Sequence, residues 1–269
     1  MKKLARMISL VLTISLMITC TLNGVAFAQG VEKPFTSIAF DTDRLTLDIG
    51  GTDTLEAQTE PQDSDDTLNW QSTDETVAKV EDGKITALRS GTTDIIASSS
   101  VNTNIYAKLT LTVNKPNIET TGKVIASSAI VYDSMSAGKK ALGTLEKDAE
   151  IQAIQADVAS GWHKIFYDGY EGYIKADSVA LKETKAPASL AKAESGGLGW
   201  VGLYNGTGAD KTLIMNINKG ITFDVTQFNA ATDWHQVYYD GFLGYVYAPN
   251  MYIHADQGDA TATGMIIGS

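Results

Sequence analysis

The sequence predicts an all-β protein in which a β-sandwich precedes two small β-barrels. Two observations support this prediction. Between Ile38 and Val113, short runs alternate polar and apolar residues between turn residues, with no helical periodicity. In the second half of the chain, one segment recurs 72 residues further along.

The first 28 residues are predicted to be a secretory signal peptide. A positively charged start precedes an apolar run from Ile8 to Ile18, and Ala26-Phe27-Ala28 provides the small-x-small cleavage pattern. The alternative is an uncleaved membrane anchor, but this apolar run is short for a bilayer. We therefore expect a secreted or extracellular, cell-wall-associated protein with no stable membrane insertion after cleavage at Ala28.

Composition narrows the possible functions of the exported chain. The full sequence has a formal net charge of −11, and loss of the signal peptide would leave 18 basic against 32 acidic residues, a net charge of −14. A pI near 4.7 excludes nucleic acid as an expected partner, because phosphate binding needs a basic face. The only cysteine, Cys20, would leave with the signal peptide, so disulfides and thiolate zinc sites are not expected.

Residues 35–114 carry the strand pattern of a sandwich. Seven or so short alternating runs lie between turns, which is typical of an antiparallel β-sandwich. Asp82-Gly83 separates two of these runs and predicts a tight hairpin.

One set of residues in this region resembles the group 2 bacterial immunoglobulin-like domain. The set is Trp70, Ser72, Asp74, Val77, Ala78 and Val80, then Gly83 to Leu88, Gly91-Thr92, Ile95 and Ala97. The resemblance implies a surface or secreted module that acts as a spacer or adhesive unit.

The repeat predicts that the second half contains two copies of one small domain. Gly161 to Ile174 returns as Asp233 to Val246, with seven of 14 positions identical. In each copy an Asp-Gly pair between apolar runs predicts a tight hairpin, at Asp168-Gly169 and Asp240-Gly241. Residues 182–198 lack alternation and are predicted to be a flexible linker, and residues 254–269 a polar tail.

The two copies resemble the bacterial SH3-like domain, at about residues 122–181 and 199–253. The resemblance rests on the pattern strand, Lys, strand, Gly-Trp, strand, Asp-Gly-x-x-Gly-Tyr-Ile. It implies binding of peptidoglycan or other wall components. The Asn-Val-Arg-x-Gly-Pro stretch of many family members is absent; Ile130 to Ser134 and Gly202 to Gly206 stand in its place.

Aromatic residues and two histidines in the repeated segment are the candidate ligand-binding residues. Small barrels also need large aromatics for their cores, and core packing is the alternative for at least half of these rings. Because neighbours on a strand point to opposite faces, core-facing tryptophans would place the histidines on the surface. The candidates are Trp162, His163, Tyr167, Tyr170, Tyr173, Trp234, His235, Tyr239, Phe242 and Tyr245.

Enzymatic activity and cofactors are not expected. The chain has no Gly-x-Ser-x-Gly elbow, no His-Glu-x-x-His and no cysteine after Cys20. Asp63-Ser64-Asp65-Asp66 is the densest acidic cluster, but it provides only part of a calcium loop and is better explained as a solvated turn.

These observations predict a non-catalytic binding protein at the bacterial envelope. The barrels would recognise cell-wall peptidoglycan or a glycopolymer, with the sandwich as spacer or adhesive arm. The alternative is an adhesin or interaction module that binds a host or secreted protein partner. The sequence leaves the oligomeric state open.

Overall fold

A computed structural model describes residues 33–157, 159–197 and 199–254, and its regular structure there is β-strand apart from two 3-10 turns. The predicted all-β class is therefore confirmed. The predicted signal peptide with Cys20 and the tail beyond His254 lie outside the described residues. Within the described part of the chain, no helix is long and apolar enough to span a bilayer.

The sandwich module comprises the described residues up to Asn114. Alternation of buried and exposed positions in its two longest strands, β8 and β9, places Ile95, Leu109 and Leu111 fully inside. Its strands are β1 (Ser37–Ala39), β2 (Arg44–Asp48), β3 (Thr52–Thr54), β4 (Gln58–Glu60), β5 (Leu68–Ser72), β6 (Ala78–Glu81), β7 (Lys84–Ala87), β8 (Gly91–Ser99) and β9 (Tyr106–Asn114).

The module forms a four-stranded sheet β2-β9-β8-β5, a three-stranded sheet β3-β7-β6 and a two-stranded pair β1-β4. The expectation of a purely antiparallel sandwich is wrong for one pair, because β2 runs parallel to β9. The long connection between these two strands allows this, since parallel neighbours need a crossover and not a hairpin. Half-buried Trp70 packs on both hydrophobic clusters of the module and stacks on Phe40 at 5.7 Å.

The first repeat (residues 120–181) and the second repeat (residues 191–254) each form one seven-stranded sheet. The first contains β10 (Thr120–Val124), β11 (Ser128–Tyr132), β12 (Ala141–Glu146), β13 (Glu150–Gln155), β14 (Trp162–Tyr167), β15 (Tyr170–Lys175), a 3-10 turn (Ala176–Ser178) and β16 (Val179–Leu181). The second contains β17 (Ala191–Ser195), β18 (Trp200–Tyr204), β19 (Leu213–Asn218), β20 (Thr222–Gln227), β21 (Trp234–Tyr239), β22 (Phe242–Tyr247), a 3-10 turn (Ala248–Asn250) and β23 (Met251–His254).

The duplication is reproduced strand by strand. The sheet orders are β12-β11-β15-β14-β13-β10-β16 and β19-β18-β22-β21-β20-β17-β23. The register shifts also recur: those before Tyr132 and Gln155 in the first repeat match those before Tyr204 and Gln227 in the second. Asp82, Asp168 and Asp240 have φ of 48°, 47° and 51°, and each following glycine is also positive. These pairs are the tight hairpin turns that the Asp-Gly dipeptides predict, because only such residues adopt two successive positive φ values at low cost.

The strands extend beyond the predicted domain boundaries at the start of both repeats and at the end of the second. Residues 191–195, placed in the predicted linker, form β17, which pairs with β20 and β23. The first strand of the first repeat likewise begins at Thr120, and His254 belongs to β23. Short strands that alternate weakly, such as Ala191–Ser195, are recognisable only by the partners they pair with.

Candidate functional site

The hairpin β14-β15 divides the predicted candidates of the first repeat between two faces. Trp162 and Tyr173 lie on the outer face with Lys164, Glu171 and Lys175. His163, Tyr167 and Tyr170 lie on the inner face, in line with buried Ile165 and Ile174. The second repeat divides in the same way. Trp234 and Tyr245 lie outside, and His235, Tyr239 and Phe242 lie inside.

The expected orientation of tryptophan and histidine is reversed in the structure. His163 is only 3% exposed, and its Nδ1 accepts a hydrogen bond from the Asp157 N–H at 3.0 Å. His235 is half-buried and accepts from the Asn229 N–H at 3.3 Å. On the inner face, each histidine accepts a hydrogen bond from the loop before its strand and so ties that loop to the sheet. His163 is therefore not available as a surface ligand-binding group.

The environment of His163 favours the neutral imidazole. Burial lowers the pKa of His163, and the carboxylates of Asp157 and Glu119 oppose that shift without overcoming it. Hydrogen bonds from the backbone N–H and the side chain of Ser160 lower the pKa of Asp157. A neutral imidazole accepting at Nδ1 is the form this loop needs, because a protonated ring has no acceptor.

Three of the inner-face aromatics serve packing. Tyr167 packs against the core of the first repeat, and its hydroxyl lies against Gly143, where a Cβ would be 2.1 Å away. Tyr239 packs against the core of the second repeat, and Phe242 is 3% exposed within that core. Tyr170 contacts Arg89 of the sandwich module, with the guanidinium carbon 5.4 Å from the ring centroid. Three of these rings therefore contribute to the cores, and the fourth, Tyr170, contacts the sandwich module.

The outer face of the first repeat carries a compact aromatic–lysine cluster. Tyr132 and Trp162 meet edge to face with their ring centroids 5.7 Å apart, and Tyr173 is the register partner of Tyr132. Lys175 Nζ lies 4.3 Å from the Trp162 centroid, and Lys139 Nζ lies 5.2 Å from that of Tyr132. We call these five residues the first cluster. Ammonium groups at these distances interact favourably with the ring faces.

The second repeat builds the same cluster 72 residues later. Tyr204 and Trp234 meet edge to face at 5.6 Å, and Tyr245 is the register partner of Tyr204. Lys211 Nζ lies 5.3 Å from the Trp234 centroid, and Tyr247 takes the place of Lys175 with its ring 5.4 Å from Trp234. We call these five residues the second cluster. All three rings and the loop lysine recur, whereas the fifth position differs.

A closed loop positions the lysine in each copy. In the first repeat, the Asp133 N–H donates to the Lys140 carbonyl at 2.9 Å, and the Lys140 N–H donates to Asp133 Oδ1 at 2.8 Å. In the second, Asn205 and Thr212 form the same two bonds at 3.0 and 2.7 Å. Both pairs use one side-chain oxygen, so Asp and Asn are equivalent here. The loop base thus brings Lys139 and Lys211 over the rings.

Sequence reasoning found Trp162, Tyr173, Trp234 and Tyr245 of these clusters and missed their other members. The signal that identifies the rest is recurrence at the same offset, as in Lys139 and Lys211, and not proximity to the Trp-His segment. Lys175 carries no repeat signal, because its counterpart is Tyr247.

The acidic turn of the sandwich module is a hydrogen-bonding centre. Asp66 is 7% exposed and accepts from the hydroxyls of Ser99 at 2.5 Å and Ser100 at 2.6 Å and from the Phe35 N–H at 3.2 Å. Burial alone would raise the pKa of Asp66, but these donors and the Thr67 N–H outweigh it and lower the pKa to about 2. In the described residues, no group of three or more His, Cys, Asp or Glu side chains is arranged to hold a metal ion.

Comparison with known proteins identifies the sandwich module. Residues 34–109 match the family model of the bacterial Ig-like domain (group 2), and the match ends before the first repeat begins. This module is therefore similar to a bacterial Ig-like domain, as its motif predicts. No curated protein matches the chain.

Solved structures similar to the chain include NlpC1 and NlpC2 from Trichomonas vaginalis. Their sequences are 14% and 13% identical to this chain, and the TM-score is 0.22 for both. Each match covers 55% of this chain, and the two matches cover 50% of NlpC1 and 52% of NlpC2. Domains 1–6 of surface layer protein SbsC are 16% identical over 68% of this chain and 26% of theirs, with a TM-score of 0.27. The chain thus spans about half of the NlpC proteins, and these TM-scores do not establish a shared overall fold.

Proposed function

We propose that this protein is a non-catalytic binding protein of the bacterial envelope, in which the two repeats are SH3-like modules that recognise cell-wall peptidoglycan or a wall glycopolymer. The observation that carries the proposal is the duplicated aromatic–lysine cluster. Three rings and a loop lysine recur on the outer face of both repeats. Tyr132, Trp162 and Lys139 of the first cluster are half-exposed, as are their counterparts in the second.

The chemistry of each cluster suits a polymer of sugars and short peptides. Aromatic faces pack against the apolar faces of sugar rings and against extended peptides, as in recognition of polyproline segments. The lysine ammonium groups supply charged donors for carboxylates, which wall peptides carry. The outer face of the β14-β15 hairpin, which carries Trp162 and Tyr173, would provide the surface for an extended chain.

Duplication compensates for weak individual sites. When one cluster binds a polymer, the other meets a second segment of it at a high effective concentration. The sandwich module would then act as a spacer or adhesive arm, in keeping with its similarity to bacterial Ig-like domains. The proposed secretion signal fits this placement.

The test is sedimentation of the purified protein, lacking residues 1–28, with cell-wall sacculi at low salt. We expect the protein in the pellet, reduced binding for Trp162→Ala or Trp234→Ala alone, and loss for the double variant. Trp200→Ala is the matched control, because Trp200 is a 53% exposed tryptophan outside both clusters. Lys139→Gln with Lys211→Gln removes the cations without touching the packed rings and should also weaken binding.

Two outcomes would overturn the proposal. One is a native protein that stays in the supernatant, or cluster variants that bind as Trp200→Ala does. The other is clearing in a gel cast with wall material, which would indicate an unrecognised hydrolase.

The second candidate is a protein–protein module, and the acidic charge of the chain favours it. A net charge of −11 opposes association with anionic wall polymers. Under this alternative, crosslinking on intact cells recovers one protein partner and no wall fragments. Sacculi stripped of anionic polymers distinguish the candidates, because wall binding would then persist or increase.

A further inference from the structure

The two Asp-Gly hairpins of the repeats make the same contact with the module that precedes each of them. In the first joint, the Arg89 Nε donates to the Asp168 carbonyl at 2.7 Å, and its Nη2 contacts Asp168 Oδ1 at 3.0 Å. The next residue of the sandwich module, Ser90, donates its backbone N–H to the Gly169 carbonyl at 2.9 Å. Tyr170 then lies under the guanidinium.

The second joint repeats this arrangement with different residues. Lys182 Nζ lies 3.8 Å from Asp240 Oδ1 and 5.4 Å from the Phe242 ring centroid. The next residue, Glu183, donates its backbone N–H to the Gly241 carbonyl at 2.8 Å. In both joints a basic residue meets the aspartate, the following N–H meets the glycine carbonyl, and the cation lies over the aromatic residue after the glycine.

The glycines leave no space for a side chain at these contacts. A Cβ on Gly169 would lie 2.5 Å from Arg89 Nε, and one on Gly241 would lie 2.9 Å from Lys182 Cδ. Each glycine therefore serves both the positive φ of the turn and the close approach of the neighbouring module.

Arg89 and Lys182, which contact the two hairpins, are each held in place by a backbone hydrogen bond within their own module. The Arg89 N–H donates to the Val77 carbonyl at 3.2 Å, so the loop between β7 and β8 presents the guanidinium. Lys182 donates its N–H to the Thr121 carbonyl at 2.7 Å, which continues the β10-β16 ladder. The segment expected to be a flexible linker thus begins with a residue anchored in the first repeat and docked on the second.

The second joint is also apolar. Ile125 at 2% exposure and Ala180 at 9% belong to the first repeat but pack into the hydrophobic cluster of the second, together with Phe242. Lys123 Nζ adds a second cation 5.5 Å from the Phe242 ring. At the first joint, Lys115 Nζ lies 4.9 Å from the Phe166 ring.

We propose that each Asp-Gly-aromatic hairpin is a docking element that recognises a basic residue and the following backbone N–H, both presented by the preceding module. The three modules then form a serial array in which the distance and orientation between the two clusters are fixed. This inference does not depend on what the clusters bind.

Distance measurements between pairs of spin labels test the array. Cysteines at the exposed positions Thr103, Ser136 and Thr207 place one label on each module, and Cys20 is absent when residues 1–28 are removed. We expect one narrow distance distribution for 103–136 and another for 136–207. Arg89→Glu should broaden only the first, and Lys182→Glu with Asp240→Asn should broaden only the second.

The variants control for one another, since in each one the undisturbed joint reports that the two modules it connects remain folded and docked. Hydrogen exchange of the module outside that joint reports whether it remains folded as well. Asparagine at 240 keeps the turn because it tolerates positive φ. Broad distributions in the native chain, or no broadening of the matching joint in either variant, would refute the docking role. Broadening of both joints by one variant would also refute it, because each hairpin would then not act on its own neighbour.

Discussion

At the residue scale, the side chains with the most specific surroundings are buried polar ones outside the clusters. Asp66 accepts from five donors in three parts of the sandwich module, and His163 holds the loop before β14. Neither role follows from residue type. An acidic cluster predicts a solvated turn, and a histidine beside a tryptophan predicts a surface position. In the structure, hydroxyl and backbone donors hold the Asp66 carboxylate inside, and a backbone donor holds the His163 ring.

Replacing Asp66 with Ala should destabilise the sandwich module by about 3 kcal/mol, because buried donors on Ser99 and Phe35 lose their acceptor. Stability that depends on the Asp66 carboxylate is present above pH 3.8 and is lost as the pH falls toward about 2. Hydrogen exchange of sandwich peptides measures both effects. Asp63→Ala is the control, since the Asp63 side chain is 71% exposed and should change stability by less than about 0.5 kcal/mol. Equal effects of the two substitutions would contradict this role.

The stability of the first repeat should fall as the pH drops below 6.5. The lowered pKa of His163 means that the unfolded chain takes up a proton before the folded one does, so the slope is at most about 1.4 kcal/mol per pH unit. Denaturant unfolding between pH 7.5 and 5 should show this dependence. His163→Asn, which keeps an acceptor near Nδ1, should flatten it, and the same substitution at exposed His254 should not. A native slope that persists in His163→Asn would exclude the histidine as its source.

At the element scale, hairpins do more than reverse the chain. The Asp-Gly turn closing β14-β15 is both a tight turn and the contact with Arg89, and the loop between β11 and β12 carries the cluster lysine. In strand β10, one glycine permits close approach to two neighbouring strands. Its Gly122 lies between two neighbouring strands, and a Cβ there would be 2.2 Å from the Ala180 carbonyl oxygen. The register-equivalent residue of the second repeat is Ala193, fully buried between β20 and β23.

Gly122→Ala should therefore destabilise the first repeat by about 2 kcal/mol, because backbone must move to admit the methyl group. The opposite change, Ala193→Gly, removes a packed methyl group from the second repeat and should cost about 1 kcal/mol through lost burial and added chain entropy. Chemical denaturation monitored by hydrogen exchange of each repeat distinguishes the two. Unchanged protection of β10 and β16 in Gly122→Ala would show that the close approach to Ala180 is not limiting.

At the scale of the whole molecule, the modules contact one another more extensively than the predicted division into domains and a flexible linker suggests. One hydrophobic cluster includes residues of both repeats, and each joint combines an ion contact with a backbone hydrogen bond. Exposed ion pairs contribute little by themselves, so the backbone bonds and the burial of Phe242 are expected to dominate the second joint. For the proposed binding, a fixed spacing between the clusters would set the effective concentration of the second binding event.

The sequence by itself determined the all-β class, the sandwich module, the duplication and all three Asp-Gly hairpins. These features rest on local rules, since strand alternation and positive φ at Asp-Gly need no distant partner. Only the tertiary structure decided which face each candidate residue takes and that β2 lies parallel to β9. It also placed residues 191–195 in a strand and brought Tyr132 and Lys139 to Trp162. Those outcomes depend on pairing and packing between residues far apart in the chain, which periodicity does not encode.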